Sequence, residues 1–232
     1  MKRIHYLLHV PFETPGNIDQ LVINSGCTAT ETRLWETTEL PEQNRFDLLI
    51  IMGGPMNIYQ HDKYPWLDAE KKFIAKTIDA GKTVLGICLG SQLLADVLGS
   101  TVIPNRCREI GWYPVHLTGL AANSPAFRNI PVKFTPFHWH GDTYPVPPGA
   151  VRIGSSPACD NQGFIFDGNV VGLQFHLEMT RESIRNIIDN CSNELIIDEY
   201  VTPAITIDEN TEQYIEASQR IMEQFFRNLL EL

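Results

Sequence analysis

No two of the five cysteines in this 232-residue chain (Cys27, Cys88, Cys107, Cys159, Cys191) are spaced as C-x-x-C, and their number is odd. This argues against a disulfide framework and a structural zinc site, and it fits a reducing compartment. No apolar run approaches the roughly 20 residues that span a bilayer. The opening "MKRIHYLLHVPFETPG" is interrupted by Pro11 and Glu13 and reads as a first strand, not a signal segment. A cytoplasmic protein is the expectation. A basic stripe is also absent. The formal charge is −10, and Glu194–Leu232 carries nine Asp/Glu against two Arg, a net of −7 that leaves −3 for the rest. A near-neutral body with an acidic appendage offers no surface for a phosphate backbone. Neither nucleic acid nor membrane is expected as a partner, and there is no internal repeat or low-complexity segment.

What the chain does contain is alternation. "RIHYLLHV", "TETRLW", "FDLLIIMGGP" and "KTVLGI" read as strands. Helical patterns fall at residues 18–25, 68–80 and 91–98. Apolar strands that stop at glycine turns are the mark of a parallel sheet covered on both faces. From residue 100 to 176 short strand-like pieces between Pro- and Gly-rich turns suggest a small antiparallel addition. Thr180 caps a helix carrying Ile184, Ile187 and Ile188 on one face. Thr206 and Glu209 have the spacing of a capping box opening a last amphipathic helix. The fold class expected is α/β, a doubly wound, mostly parallel sheet with helices on both faces. Residues 1–190 form its domain, and the extension 191–232 ends in a helix packed on the same domain.

Against that background "GICLGSQ" (residues 86–92) stands out, because a cysteine lies between two glycines where a strand gives way to a helix. The G-x-S-x-G elbow of hydrolases has this layout with oxygen in place of sulfur. A helix N-terminus favours thiolate, so a lowered Cys88 pKa is expected. A nucleophile needs a base, and the base needs an orienter. In "QFHLE" His176 and Glu178 are two residues apart and share a face of an extended segment. Gly53 and Gly54 of "MGGP" end the neighbouring strand. Their backbone can approach a developing oxyanion together with the N–H of Leu89, and a flip of the Gly53–Gly54 peptide would present or hide that donor.

The set G-G-P, G-x-C-x-G-x-Q and Q-F-H-x-E, in that order, resembles the class I glutamine amidotransferase family, over about residues 1–190. The likeness is to the glutaminase domain of GMP synthases and its stand-alone relatives. The resemblance implies a flavodoxin-like fold and a Cys88–His176–Glu178 triad that attacks the side-chain amide of glutamine and releases ammonia through a γ-glutamyl thioester. It implies Gly54 and Leu89 as oxyanion donors, and Gly53, Gln92, Asn161, Gly163 and Phe164 as substrate contacts. No cofactor and no metal are implied. The usual proline between histidine and glutamate is replaced by Leu177. No acceptor domain is recognisable after residue 190, so the synthetase served by an ammonia-producing subunit would be a separate chain. The alternatives are a stand-alone γ-glutamyl peptide hydrolase, with water as acceptor, and a non-catalytic module of the same fold.

Three further stretches draw attention. His138, His140 and Asp142 of "FHWHGD" alternate as metal ligands would, yet the sequence supplies no further ligand to complete a shell. Glu109 of "REIGW" either orients loops at the site mouth or is a solvated carboxylate. Phe12 and Glu13 follow the first strand and would flank a substrate pocket.

Overall fold

The computed structural model describes residues 1–232. Its centre is a seven-stranded sheet. Strand β1 (Arg3–Leu8) leads through helix α1 (Ile18–Asn24) to β2 (Thr28–Arg33), and then come β3 (Leu48–Ile51), α2 (Leu67–Asp79), β4 (Thr83–Ile87) and α3 (Leu89–Val97). A long strand β5 (Ile103–Trp112) and the short β6 (Val115–Leu117), α4 (Gly119–Ala122) and β7 (Lys133–Phe134) precede β8 (Phe137–Thr143). Then follow β9 (Val151–Arg152), β10 (Gly154–Ser155), β11 (Gly163–Phe166), β12 (Val170–Leu173), α5 (Arg181–Cys191) and α6 (Ala204–Glu231).

The main sheet runs β2-β1-β3-β4-β12-β11-β9. Its first five strands are parallel, while β11 is antiparallel to β12 and β9. The chain moves from β1 outward to β2 and then back across to β3, so a topological switch point lies between β1 and β3. Sites in such sheets form at strand carboxyl ends, beside the switch. The antiparallel additions are a three-stranded sheet β10-β6-β7 and the pair β5-β8.

Alternation along each strand sorts side chains onto two cores. Ile4, Tyr6, Leu48 and Ile50 face α1 and α6, where Met222, Phe225, Phe226 and Leu229 cover them. Leu7, Leu49, Ile51 and Val84 face α2 and α3. A third core joins Ile110, Trp112, Phe137 and Trp139 of β5-β8 to Ile184 and Ile187 of α5 and Ile207 and Ile215 of α6. Helix α6 therefore closes one face of the sheet and clasps the β5-β8 pair to it. Asn228 anchors it by donating 2.9 Å bonds to the carbonyls of Ala126 and Arg128.

Thr180 caps α5 as expected, in a reciprocal box with Ser183. The box expected at Thr206 and Glu209 does not form. Helix α6 begins at Ala204 behind Pro203, and the Thr206 amide is already bonded to the Pro203 carbonyl. A proline before the first turn starts the helix without a side-chain cap, because its φ is preset near the extended value that cap residues adopt.

Candidate active site

Cys88 links β4 to α3 with φ 51° and ψ −105°, a left-handed conformation that costs a non-glycine residue energy and turns its side chain out at the bend. The flanking glycines are steric necessities. A Cβ on Gly86 would lie 2.4 Å from the Gly90 carbonyl oxygen, and one on Gly90 would lie 2.2 Å from the Ile51 oxygen. The bend is held from both sides. Its amide donates to the Leu173 carbonyl at 2.8 Å, and its carbonyl accepts from the amides of Ser91 and Gln92.

His176 and Glu178 lie beyond the end of β12, in a segment pinned to β8 by paired backbone bonds between Phe137 and His176. His176 Nδ1 sits 2.6 Å from Glu178 Oε1, both side chains nearly sealed from solvent. The carboxylate accepts, so Nδ1 carries the proton and Nε2 is left for the sulfur. His176 and Cys88 line the same cavity, and each perturbs the other's proton affinity. Burial opposes charge on this imidazole, but the Glu178 carboxylate and the Cys88 sulfur outweigh it and hold its pKa well above the ordinary histidine value. The thiol behaves otherwise than expected. Burial pushes Cys88 up, and the neighbouring His176 offsets this only in part, with Glu13 and Glu178 adding to the rise. A helix N-terminus is too weak a field to ionise a thiol that is desolvated and faces two carboxylates.

Cys88, Leu89, Gln92, His176, Gly54 and Glu13 line one cavity of about 650 Å³. Gln92 Nε2 donates to Gln174 Oε1 at 3.2 Å, and Gln174 Nε2 lies 3.7 Å from the sulfur. Gly53 and Gly54 have no room for side chains. A Cβ on Gly53 would lie 2.3 Å from Glu13 Oε2 and 3.4 Å from the His176 ring, and one on Gly54 would meet Met56 Sδ at 2.6 Å. Of the remaining expected substrate contacts, Asn161, Gly163 and Phe164 do not reach this cavity. Asn161 Nδ2 is spent on the Tyr144 carbonyl at 2.9 Å. Gly163 backs onto the Gly172 carbonyl, and Phe164 is sealed in the α2–α3 core edge-on to Tyr144. Phe164 is directed into the sheet's own packing by β11, and Asn161 lies before that strand.

Three participants escaped the sequence reading or were only touched by it. His9, just past β1, has Nδ1 3.0 Å from the Gly53 carbonyl and Nε2 2.9 Å from Glu70 Oε1, with both side chains fully enclosed. Despite burial, the Glu70 carboxylate raises the His9 pKa. Glu13 stands in the cavity wall, its carboxyl pushed up to about 7 by burial and moderated by His176 and His9. Glu194, from the segment after α5, lines the mouth and is bonded at 2.8 Å to Arg108. The one usable signal was the density of titratable residues in "HVPFE"; Glu70 lies 61 residues from His9 and gave none.

Comparison with known proteins gives the family. The family model described as "Glutamine amidotransferase class-I" matches residues 15–194. The chain belongs to the class I glutamine amidotransferase family. Among curated relatives, the putative glutamine amidotransferase-like protein YfeJ of Salmonella typhimurium is 32% identical over 197 residues, covering 83% of this chain and 82% of the relative. A GMP synthase [glutamine-hydrolyzing] of Streptococcus mutans is 32% identical over 145 residues, but the match covers 60% of this chain and only 26% of the synthase. Among solved structures, a glutamine amidotransferase from Thermotoga maritima superposes with a TM-score of 0.89 at 29% identity, covering 100% of this chain and 99% of that one. The fold is thus the flavodoxin-like one shared by class I amidotransferases. No helix is long and apolar enough to cross a membrane.

Proposed function

We propose that this amidotransferase-family chain is a cysteine hydrolase acting on the side-chain amide of glutamine or of a γ-glutamyl compound. The observation that carries the reading is Cys88, held at a strained elbow on a cavity shared with an imidazole whose Nδ1 is bonded at 2.6 Å to Glu178. A non-catalytic module would have no use for that strain or for the buried ion pair.

In this reading His176 takes the thiol proton as the sulfur attacks the amide carbon. The carbonyl π electrons move to oxygen, which is met by the N–H groups of Leu89 and Gly54. The first amides of a helix have no acceptor within it, so the Leu89 N–H is free for this use. The Gly54 N–H is aimed by His9. In a trans peptide C=O and N–H point in opposite directions, so a Gly53 carbonyl drawn toward His9 sends the next N–H away from it. On collapse the C–N bond breaks, the imidazolium protonates the leaving nitrogen, and ammonia or an amine departs. Water then adds to the thioester with His176 as base, glutamate leaves, and Cys88 regains its proton. The raised basicity of His176 suits it to draw a proton from a thiol that burial keeps protonated. Gln92 and Glu13 border the substrate's glutamyl end.

A second reading, a stand-alone γ-glutamyl peptide hydrolase, draws support from cavity size. About 650 Å³ is in the range that holds drug-sized ligands and exceeds the needs of one free amino acid. As an ammonia supplier the chain would instead serve a synthetase, as the likeness to GMP synthase suggests. The five unpaired cysteines suit a cytoplasmic setting. Steady-state ammonia and amine release from glutamine and from a γ-glutamyl amide panel, with Cys88→Ala as control, tests the proposal. Equal turnover by Cys88→Ala and the parent chain would refute it. A large kcat/KM preference for γ-glutamyl peptides would select the second reading.

A further inference from the structure

Behind the nucleophile lies a second buried cluster for which the proposed reaction has no use. In the β5-β8 pair Glu109 is directly opposite His140, and His138 is two residues along the same face. Their exposures are 0% for Glu109, 0% for His138 and 4% for His140. The sequence offers His138, His140 and Asp142 without a further ligand; the Asp142 carboxylate instead accepts from Asn57 and Tyr59, and Glu109, on the partner strand, joins the two histidines.

Hydrogen-bond polarity then poses a problem. His138 Nε2 lies 3.2 Å from the Tyr113 carbonyl and His140 Nδ1 lies 3.0 Å from the Asp142 carbonyl. Carbonyls only accept, so each ring carries its proton on that nitrogen. The other nitrogens, His140 Nε2 at 3.0 Å and His138 Nδ1 at 3.4 Å, converge on the same oxygen, Glu109 Oε2. Neutral rings thus aim two lone pairs at a carboxylate. At His9 one imidazole faces one carboxylate, and a single extra proton reconciles them. Here one extra proton serves one ring and leaves the other lone pair opposed, while two would bury a net positive charge between the two strands. Nor is the shell otherwise complete, since His138 Nδ1, Glu109 Oε1 and Gln162 Oε1 are buried without hydrogen-bond partners.

A divalent cation resolves all of this at once. Two imidazoles with their far N–H groups on backbone carbonyls, beside a carboxylate, make the donor set and outer support that zinc-class ions take from proteins. The three ligand atoms lie within 4.8 Å of one another. We propose that Glu109, His138 and His140 form a binding site for a divalent transition-metal ion of the zinc class. Its fourth position falls to the Gln162 amide oxygen or to water from the cavity that His140 lines. Gln162 Nε2 is already 2.6 Å from Glu109 Oε2, so rotation of its amide would turn the unpartnered oxygen toward the ion. The ion is structural. It ties β5 to β8 on either side of Trp139, whose carbonyl is 3.6 Å from Cys88 Sγ and backs the nucleophile. This assignment holds whether or not Cys88 is catalytic.

The test uses the full chain, stripped with chelator, dialysed against Zn²⁺ or Co²⁺ and assayed for bound metal by mass spectrometry and Co²⁺ absorption. The parent chain and Cys88→Ala are expected to keep about one ion per chain. Glu109→Gln and His138→Leu should bind more than about 100-fold more weakly, beyond the effect of losing a supporting partner. Chelation should lower the melting temperature of the parent but not of His138→Leu, which keeps the Glu109–His140 bond and serves as the decisive variant if Glu109→Gln misfolds. Absence of bound metal at micromolar ion in the parent would overturn the site. So would metal that is lost in Cys88→Ala and kept in His138→Leu, since that places the ion on Cys88 and His176.

Discussion

Two regions of this protein bury histidine against carboxylate in different proportions. Around the cavity the ratio is one to one: His176 with Glu178, and His9 with Glu70. Between β5 and β8 it is two to one, His138 and His140 on Glu109. A one-to-one pair is completed by a proton, which can come and go, so the pair can hand protons to a reaction or hold a peptide in place. A two-to-one set buried between strands is not completed by any number of protons without a residual opposed lone pair or a buried charge. The stoichiometry, more than the residue types, separates a place for proton chemistry from a place for a cation.

The sharpest way to break the cavity half of this comparison is to remove its participants. Cys88→Ala is expected to lower turnover by about 10⁴-fold or more with the far-ultraviolet circular dichroism unchanged; His176→Ala should fall nearly as far, and Glu178→Ala less. If His176→Ala kept the parent's rate, the one-to-one pair would not be doing proton chemistry. A finer cut is Glu178→Gln. The carboxylate raises the His176 pKa, so its loss lowers that pKa. The acid limb of the kcat/KM profile, where the base is lost to protonation, should then move to lower pH. An acid limb that stays in place would detach Glu178 from the imidazole.

The second pair sharpens the claim that some protons position and do not react. His9→Ala should cost about 100-fold in kcat, the scale of one lost oxyanion donor, with KM little changed. His9→Asn can still donate from Nδ2 to the Gly53 carbonyl and should recover much of it. Alkylation of Cys88 needs no oxyanion donor and should be unaffected. An equal loss in His9→Asn and His9→Ala would show that His9 acts by packing.

Glu13 gives the smallest effect. It is a carboxyl in the same cavity with no histidine of its own. Its pKa is raised to about 7 from an ordinary 4.5. The folded state therefore holds the proton more tightly than the unfolded chain. The stabilisation is fully present below about pH 4.5 and is lost as pH rises through about 7. Glu13→Gln should accordingly be more stable than the parent at pH 8, by about 1–2 kcal/mol after allowing for contact with cavity water, and little different at pH 4. Urea melts at the two pH values measure this. A difference that is larger at pH 4 would reverse the assignment.

Some of this was determined by the sequence alone because its cause is local. Gly86, Cys88 and Gly90 announce a bend where side chains collide, the apolar runs announce buried parallel strands, and Thr180 announces a helix start through the groups within its own first turn. His176 and Glu178, two residues apart, carry their relation wherever the segment goes. Thr206 and Glu209 show the limit even of local signals, because Pro203 started α6 first. What only the tertiary structure decided is where distant side chains converge. Phe164, inside β11, went into the core, while Gln162, just before the strand and separated from Phe164 by Gly163 at φ 145°, went toward Glu109, though the two are neighbours but one in sequence. Packing of α2 on the sheet set Glu70 against His9, and His9 against the Gly53 carbonyl. The antiparallel register of β5 and β8 laid Glu109 across from His140, 31 residues away. Proximity of that kind comes from strand pairing and core packing, whose free energy is spread over the whole domain, so no short stretch of sequence records it.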